Sequence, residues 1–182
     1  MKLITIWFGA NDASDPKLNA RQPVPVEQYT QNLKDMINYI RRIYDGQNQP
    51  HIVLITPPAL DQDAFLITFR TRTENPSAPF PDRRPELVEP YVEAVIKVAK
   101  ELQVPYLDLF HEMQKSPDWK KYLMDGLHLS SDGNRFVFTH LVELITSNFP
   151  ELNPQNGMVM DFIDNKLIDL KNPKESLKRR NY

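Results

Sequence analysis

In the segment DGLHLS, residues 125–130, an acid and an imidazole stand three positions apart. A carboxylate at Asp125 that accepts from one ring nitrogen of His128 would fix the tautomer, leaving the other nitrogen to take a proton from a hydroxyl. The same residues also read as a helix entry, with Asp125 satisfying backbone donors and His128 stacked on Trp119 or Tyr122. A second polar group lies in FGAND, residues 8–12. Asn11 offers a neutral side-chain donor suited to an oxygen that gains negative charge. Gly9, the candidate substrate-binding position, would let the chain turn with positive φ or let a ligand approach the backbone, and Asp12 would stabilise the turn. Taken alone, the tetrapeptide also reads as a plain turn. His51, His111 and His140 lack metal-ligand spacing and read as surface or core residues.

Rigid elements must hold these groups. KLITIWFG, HIVLITPP and VPYLDLF are short apolar runs ended by turn residues, and longer segments of helical period separate them. In the first such segment Tyr29, Leu33, Met36, Ile37, Ile40 and Ile43 share a stripe. In the second, Leu87, Tyr91, Val95, Val98 and Leu102 do the same, with Pro90 expected to kink the helix or delay its regular start. The third starts after Ser130 or Ser131 and carries Phe136, Val137, Leu141, Leu144, Ile145 and Phe149. Strands apolar on both faces predict a parallel sheet covered by helices on each side. In such α/β sheets ligands bind beyond the carboxyl ends of the strands. FGAND and TPP follow the first and second runs, and DGLHLS follows the third after a helical stretch.

Residues 57–84 are proline-rich and carry FRTRTE, too long for a plain connector. They read either as a substrate-side loop with some helix of its own or as a variable surface insertion. Residues 1–150 form the expected domain, and residues 151–182 a polar tail that wraps the surface or is partly disordered. At 182 residues and 41% hydrophobic content, the chain suffices for one sizeable core. Its 22 basic and 24 acidic residues nearly cancel, which argues against a nucleic acid partner. The absence of cysteine excludes thiol nucleophiles and thiolate metal sites. No apolar run approaches a membrane span, so a cytoplasmic protein is expected.

Read together and in order, FGANDAS and DGLHLSSDGNRF resemble the third and fifth sequence blocks of the SGNH (GDSL) hydrolases. VPYLDLFHEMQ followed by YLMDGLHLS is similar to the isoamyl-acetate-hydrolysing esterase branch, and the similarity runs from residue 3 to about residue 145. The resemblance implies a flavodoxin-like three-layer αβα sandwich and hydrolysis of short-chain carboxylic esters without metal or organic cofactor. It makes Asn11 the oxyanion-hole side chain, His128 the general base and Asp125 its orienting carboxylate.

The family's first block, with the nucleophilic serine, and its second, with a glycine of the oxyanion hole, have no counterpart here. Ser14 lies beyond the Asn-Asp turn, Ser130 and Ser131 suit a helix cap, and no serine sits on a strand-to-helix elbow. The expectation is a Ser-His-Asp esterase domain without the family's first two strands and without its serine, so these residues alone should show no triad-dependent turnover. Two alternatives stand beside it, a truncated gene product and a catalytically inactive module that binds esters or other ligands. The first strand would then be an uncovered apolar edge, open to self-association.

Overall fold

The computed structural model describes residues 2–44 and 49–153. Three strands, β1 (Leu3–Trp7), β2 (His51–Ile55) and β3 (Tyr106–Leu107), form a parallel sheet in the order β1-β2-β3. Leu3 faces His51 and Trp7 faces Ile55 across the first pair, and Ile55 faces Leu107 across the second. Among the described residues five α-helices accompany them: α1 (Val26–Ile43), α2 (Gln62–Arg72), α3 (Pro85–Glu101), α4 (Leu109–Gln114) and α5 (Ser131–Asn148).

Strand β2 shows why the sheet is covered twice. Its side chains alternate between faces, and both faces are apolar. Ile52 and Leu54 pack with Ile6, with Leu33 and Ile37 of α1, and with Val95 and Val98 of α3. Val53 and Ile55 join Phe65 of α2, Met113 of α4 and Val137 of α5 on the other side. The result is a three-layer αβα sandwich, as expected.

The differences from expectation are local. VPYLDLF supplies only a two-residue strand, because Asp108 accepts the His111 N–H at 3.3 Å and starts α4 at Leu109. On α1 the buried stripe is Tyr29, Leu33 and Ile37, whereas Ile43 at the helix end is exposed. Pro90 does not delay α3. The helix begins at Pro85, where a missing N–H costs nothing, and Pro90 lies on the exposed side, so the carbonyl it leaves unbonded faces water. Residues 57–84 hold α2, capped by Asp61, whose carboxylate accepts from the Asp63 and Ala64 N–H groups. Strand β1 is an edge, with Trp7 38% and Phe8 55% exposed. Of the expected tail, a single 3₁₀ turn at Pro150–Leu152 buries Leu152, and residues 154–182 lie outside the described residues. No helix among the described residues is long and apolar enough to cross a membrane.

Candidate active site

The DGLHLS segment is a closed loop. Leu123 and Leu129 form an isolated antiparallel bridge, Met124 N–H donates to the His128 carbonyl at 2.8 Å, and Ser130 N–H donates to the Tyr122 carbonyl at 2.9 Å. Ser130 then caps α5, accepting from Gly133 N–H at 3.1 Å while its own hydroxyl donates to the Lys121 carbonyl at 2.7 Å. Gly133 lies so close to the Tyr122 carbonyl that a Cβ there would collide with it. The start of the helix and the loop are thus fastened together.

Inside the loop, Asp125 Oδ1 accepts from the Leu127 and His128 N–H groups at 3.0 and 2.8 Å. Its Oδ2 lies 2.8 Å from His128 Nδ1. Both readings of the motif are therefore realised at once, since the carboxylate organises the backbone and contacts the ring. The stacking alternative is not, because Tyr122 packs against Phe136. Burial pushes the Asp125 carboxyl up, but the hydrogen bonds from His128 and Leu127 outweigh it and hold it below its ordinary value. Because the His128 side chain is 60% exposed, the ion pair itself contributes only about 0–1 kcal/mol. Backbone pairing, not the pair, fixes the loop. Among the described residues nothing accepts from or donates to His128 Nε2.

Gly126 docks this loop on the start of α2. It has φ +87°, its carbonyl accepts from Asp61 N–H at 2.8 Å, and a Cβ on it would stand 2.5 Å from the Asp61 carbonyl oxygen. Lys120 adds an ion pair to Asp61 at 3.0 Å. Asp61 closes the segment 57–61 that leaves the carboxyl end of β2.

The FGAND turn abuts the other end of that segment. Gly9 is buried at φ +110°, and a Cβ there would come within 2.7 Å of Pro57 Cγ and 2.9 Å of the Tyr29 hydroxyl. Of its two expected uses, the tight turn is the one seen: its N–H donates to Asp12 Oδ2 at 3.1 Å. Ala13 and Leu123, one from each polar loop, share a single apolar cluster with Phe65. The sheet thus carries both polar loops at one end, on either side of residues 57–61.

Asn11 is exposed, but its amide is held. Arg83 Nη2 donates to Asn11 Oδ1 at 2.7 Å and to Gln22 Oε1 at 2.6 Å. Its Nε donates to the Ala10 carbonyl at 3.0 Å, and its Nη1 pairs with Asp82 at 3.0 and 3.1 Å. Arg83 and Asp82 are each 2% exposed. Nothing in the sequence pattern singles them out, since DRR sits in a loop and its partners lie as far as 73 residues away. The remaining histidines take other roles. His51 stacks on Phe149, His140 stacks on Phe136, and His111 pairs with Asp108.

No serine hydroxyl among the described residues bonds to His128. Ser14 is buried and donates to the Asn11 carbonyl at 2.9 Å, and Ser130 is committed to its cap.

Comparison with known proteins agrees with this architecture. The family model described as GDSL-like lipase/acylhydrolase matches residues 2–136. An Arabidopsis thaliana protein named as a GDSL esterase/lipase is 34% identical over 97% of this chain and 71% of its own. The human isoamyl acetate-hydrolyzing esterase 1 homolog is 37% identical, over 83% of this chain and 59% of its own. The crystal structure of a lipase/acylhydrolase from Enterococcus faecalis superposes with a TM-score of 0.59 at 27% identity, covering 81% of this chain and 62% of that one. The chain thus spans under two thirds of the human relative and of the Enterococcus structure. On the family match across residues 2–136 and the shared fold, the chain belongs to the GDSL-like lipase/acylhydrolase family.

Proposed function

We propose that this chain provides the base and the oxyanion donor of a carboxylester hydrolase of the Ser-His-Asp type, acting on short acetyl esters. The observation that carries the reading is the seating, through Gly126 and Asp61, of the loop that holds Asp125 Oδ2 2.8 Å from His128 Nδ1 against the segment leaving the carboxyl end of β2, with Nε2 unpartnered among the described residues. The acetyl preference rests on the human relative, whose name speaks of isoamyl acetate.

In this mechanism His128 Nε2 takes the proton of a serine hydroxyl as its oxygen bonds to the ester carbonyl carbon. The carbonyl electrons move onto oxygen, where the Asn11 Nδ2 hydrogens meet the new negative charge. Collapse breaks the bond to the alcohol, which leaves with the proton from His128. Water repeats the sequence on the acyl-serine and releases the acid. The Asp125 carboxylate stabilises the imidazolium that forms in each half. No described hydroxyl is directed at the ring, so this reading takes its serine from beyond the described residues.

That same absence favours a second reading, a module that binds esters or other ligands without turnover. A fluorophosphonate separates the two, because only an activated serine forms the adduct. In the native protein the label should fall on a serine outside these residues and should vanish with His128→Ala. Labelling of Ser14, Ser130 or Ser131 would overturn the external nucleophile, and labelling indifferent to His128 would overturn the base. A protein that binds ester but takes no label at all is the second reading.

A further inference from the structure

Asn11 can present either of two faces to a ligand, and only one suits an oxyanion. The side-chain oxygen would repel the charge that the nitrogen stabilises, and the two ends are nearly the same size. Something must decide which end points outward.

Arginine has five N–H donors and no acceptor, so an amide that bonds to it can do so only through oxygen. All five donors of Arg83 have acceptors: the Ala10 carbonyl, the two oxygens of Asp82, Asn11 Oδ1 and Gln22 Oε1. The guanidinium is a rigid planar fork, and here it is sealed at 2% exposure, with its charge answered by Asp82 at 3.0 Å. Asp82 is fixed in turn, since Asn19 Nδ2 donates to its Oδ2 at 3.1 Å and Asp15 N–H donates to its carbonyl at 2.6 Å. Arg84 adds an ion pair to Asp15 at 3.0 Å. Loop residues 82–84 therefore grip the 10–22 segment from behind.

We propose that Arg83 is the positioning residue of the oxyanion site: it captures Asn11 Oδ1 from the buried side, so that the Nδ2 hydrogens can face only outward. No described residue accepts from Asn11 Nδ2, which leaves those hydrogens for a ligand oxygen. The consequence for catalysis rests on the esterase reading above, whereas the orientation itself does not. A lysine could keep the charge opposite Asp82 but not the fork. It would reach Asp82 or Asn11 and leave the Ala10 carbonyl and Gln22 without their donors.

Side-chain amide NMR on the uniformly ¹⁵N-labelled chain tests this without any hydrolysis, with the Asn11 signal assigned by its disappearance in Asn11→Asp. In the unmodified chain the Asn11 Nδ2 order parameter should be near that of rigid backbone, about 0.85, while exposed Asn38 should be below about 0.6. Arg83→Met and Arg83→Lys should both bring Asn11 down to the Asn38 level while the backbone of the sheet keeps its spectrum. An Asn11 amide as mobile as Asn38 in the unmodified chain overturns the proposal, and this measurement does not depend on an Arg83 variant folding. Full order retained in Arg83→Met also overturns it, and full order in Arg83→Lys shows that charge, not the fork, does the holding. Hydrolysis that survives Asn11→Ala would instead sink the oxyanion role of Asn11 and leave its orientation by Arg83 standing.

Discussion

The chain contains the pattern Asp-x-x-His twice, at Asp108/His111, which starts inside the third apolar run, and at Asp125/His128. Both make the ring contact, with Nδ1 2.8 Å from a carboxylate oxygen in each. Both carboxylates also accept the N–H of their histidine, at 3.3 and 2.8 Å. The difference lies in what surrounds them. Asp108 is the cap of α4, both its oxygens lie against the one ring, and it borders a groove with Tyr106, His140 and Glu143 beside α5. Asp125 sits in a loop that a positive-φ glycine presses onto residues 57–61, against whose other end the Asn11 turn rests. An aspartate-histidine contact is therefore what this spacing yields wherever the chain turns, and it carries no function by itself. Place in the fold separates the two pairs.

Exchanging histidine for alanine in each pair breaks the comparison most sharply. In the native protein, His128→Ala should lower kcat on a short acetyl ester by on the order of 10⁵-fold or more, as loss of the base does in a studied serine protease. His111→Ala should leave kcat within about threefold, since stability effects of exposed side chains are small. Steady-state kinetics on the two purified variants decides it. Equal losses would mean that the fold does not distinguish the pairs.

The acids should dissociate in the opposite sense. Asp125→Asn keeps the size of the side chain but no longer holds the ring in one tautomer, and a loss of about 10⁴-fold in kcat is expected. Asp108→Ala should cost about 1 kcal/mol of stability through its lost cap and leave kcat near the unmodified value. Urea melts and kinetics on both variants give the two numbers. A catalytic defect in Asp108→Ala at full stability would move the site toward α4.

A third substitution tests the docking of the loop. Gly126→Ala would combine φ +87° with a Cβ 2.5 Å from the Asp61 carbonyl oxygen, so a loss of at least about 1–3 kcal/mol is expected. Chemical denaturation reads it. An unchanged midpoint would show that the loop is not pressed onto Asp61.

How much of this was legible in the sequence follows from the range of each signal. The continuous apolar run of β2 and the stripe of Tyr29, Leu33 and Ile37 are signals that span a few residues, and the structure buries both. DGLH and FGAND are local as well, so their residues could be named, with the resemblance to a family supplying what spacing could not. The Asp108/His111 pair is equally visible, but without metal-ligand spacing His111 reads only as a surface or core residue. The shortness of β3, though not its place, is illegible for a related reason. Asp108 looked like part of an apolar run, and its capping bond outweighs the strand propensity of the residues that follow. Arg83 and Asp82 are illegible for another reason, since the Arg83 partners Ala10, Asn11 and Gln22 come from the loop between β1 and α1, 61 to 73 residues earlier. Only tertiary structure brings those donors and acceptors together.

The smallest expected effect is on acid stability. Asp125 has its carboxyl held below the ordinary value, burial being outweighed by the bonds it accepts from His128 and Leu127. A group depressed in the folded state contributes stability that is complete above its unfolded pKa of about 3.9 and is lost as pH falls through the lower folded value. Loop stabilisation by Asp125 should therefore be fully present at pH 5 and above and should decline below about pH 4. Asp15 is depressed too, by the Lys17 backbone bond and by Arg84 against the opposing effect of burial, so the melting curve of the unmodified protein is composite. Asp125→Asn removes one contributor and leaves Asp15 and Asp118, which Lys121 and Ser116 hold low, and the difference between the two proteins' melting temperatures should shrink as pH drops from 5 to 2. A difference constant over that range would mean that the carboxylate's charge does nothing for the loop and that shape alone holds it. Asp125 would then be the same kind of residue as Asp108, a cap whose ring contact is incidental.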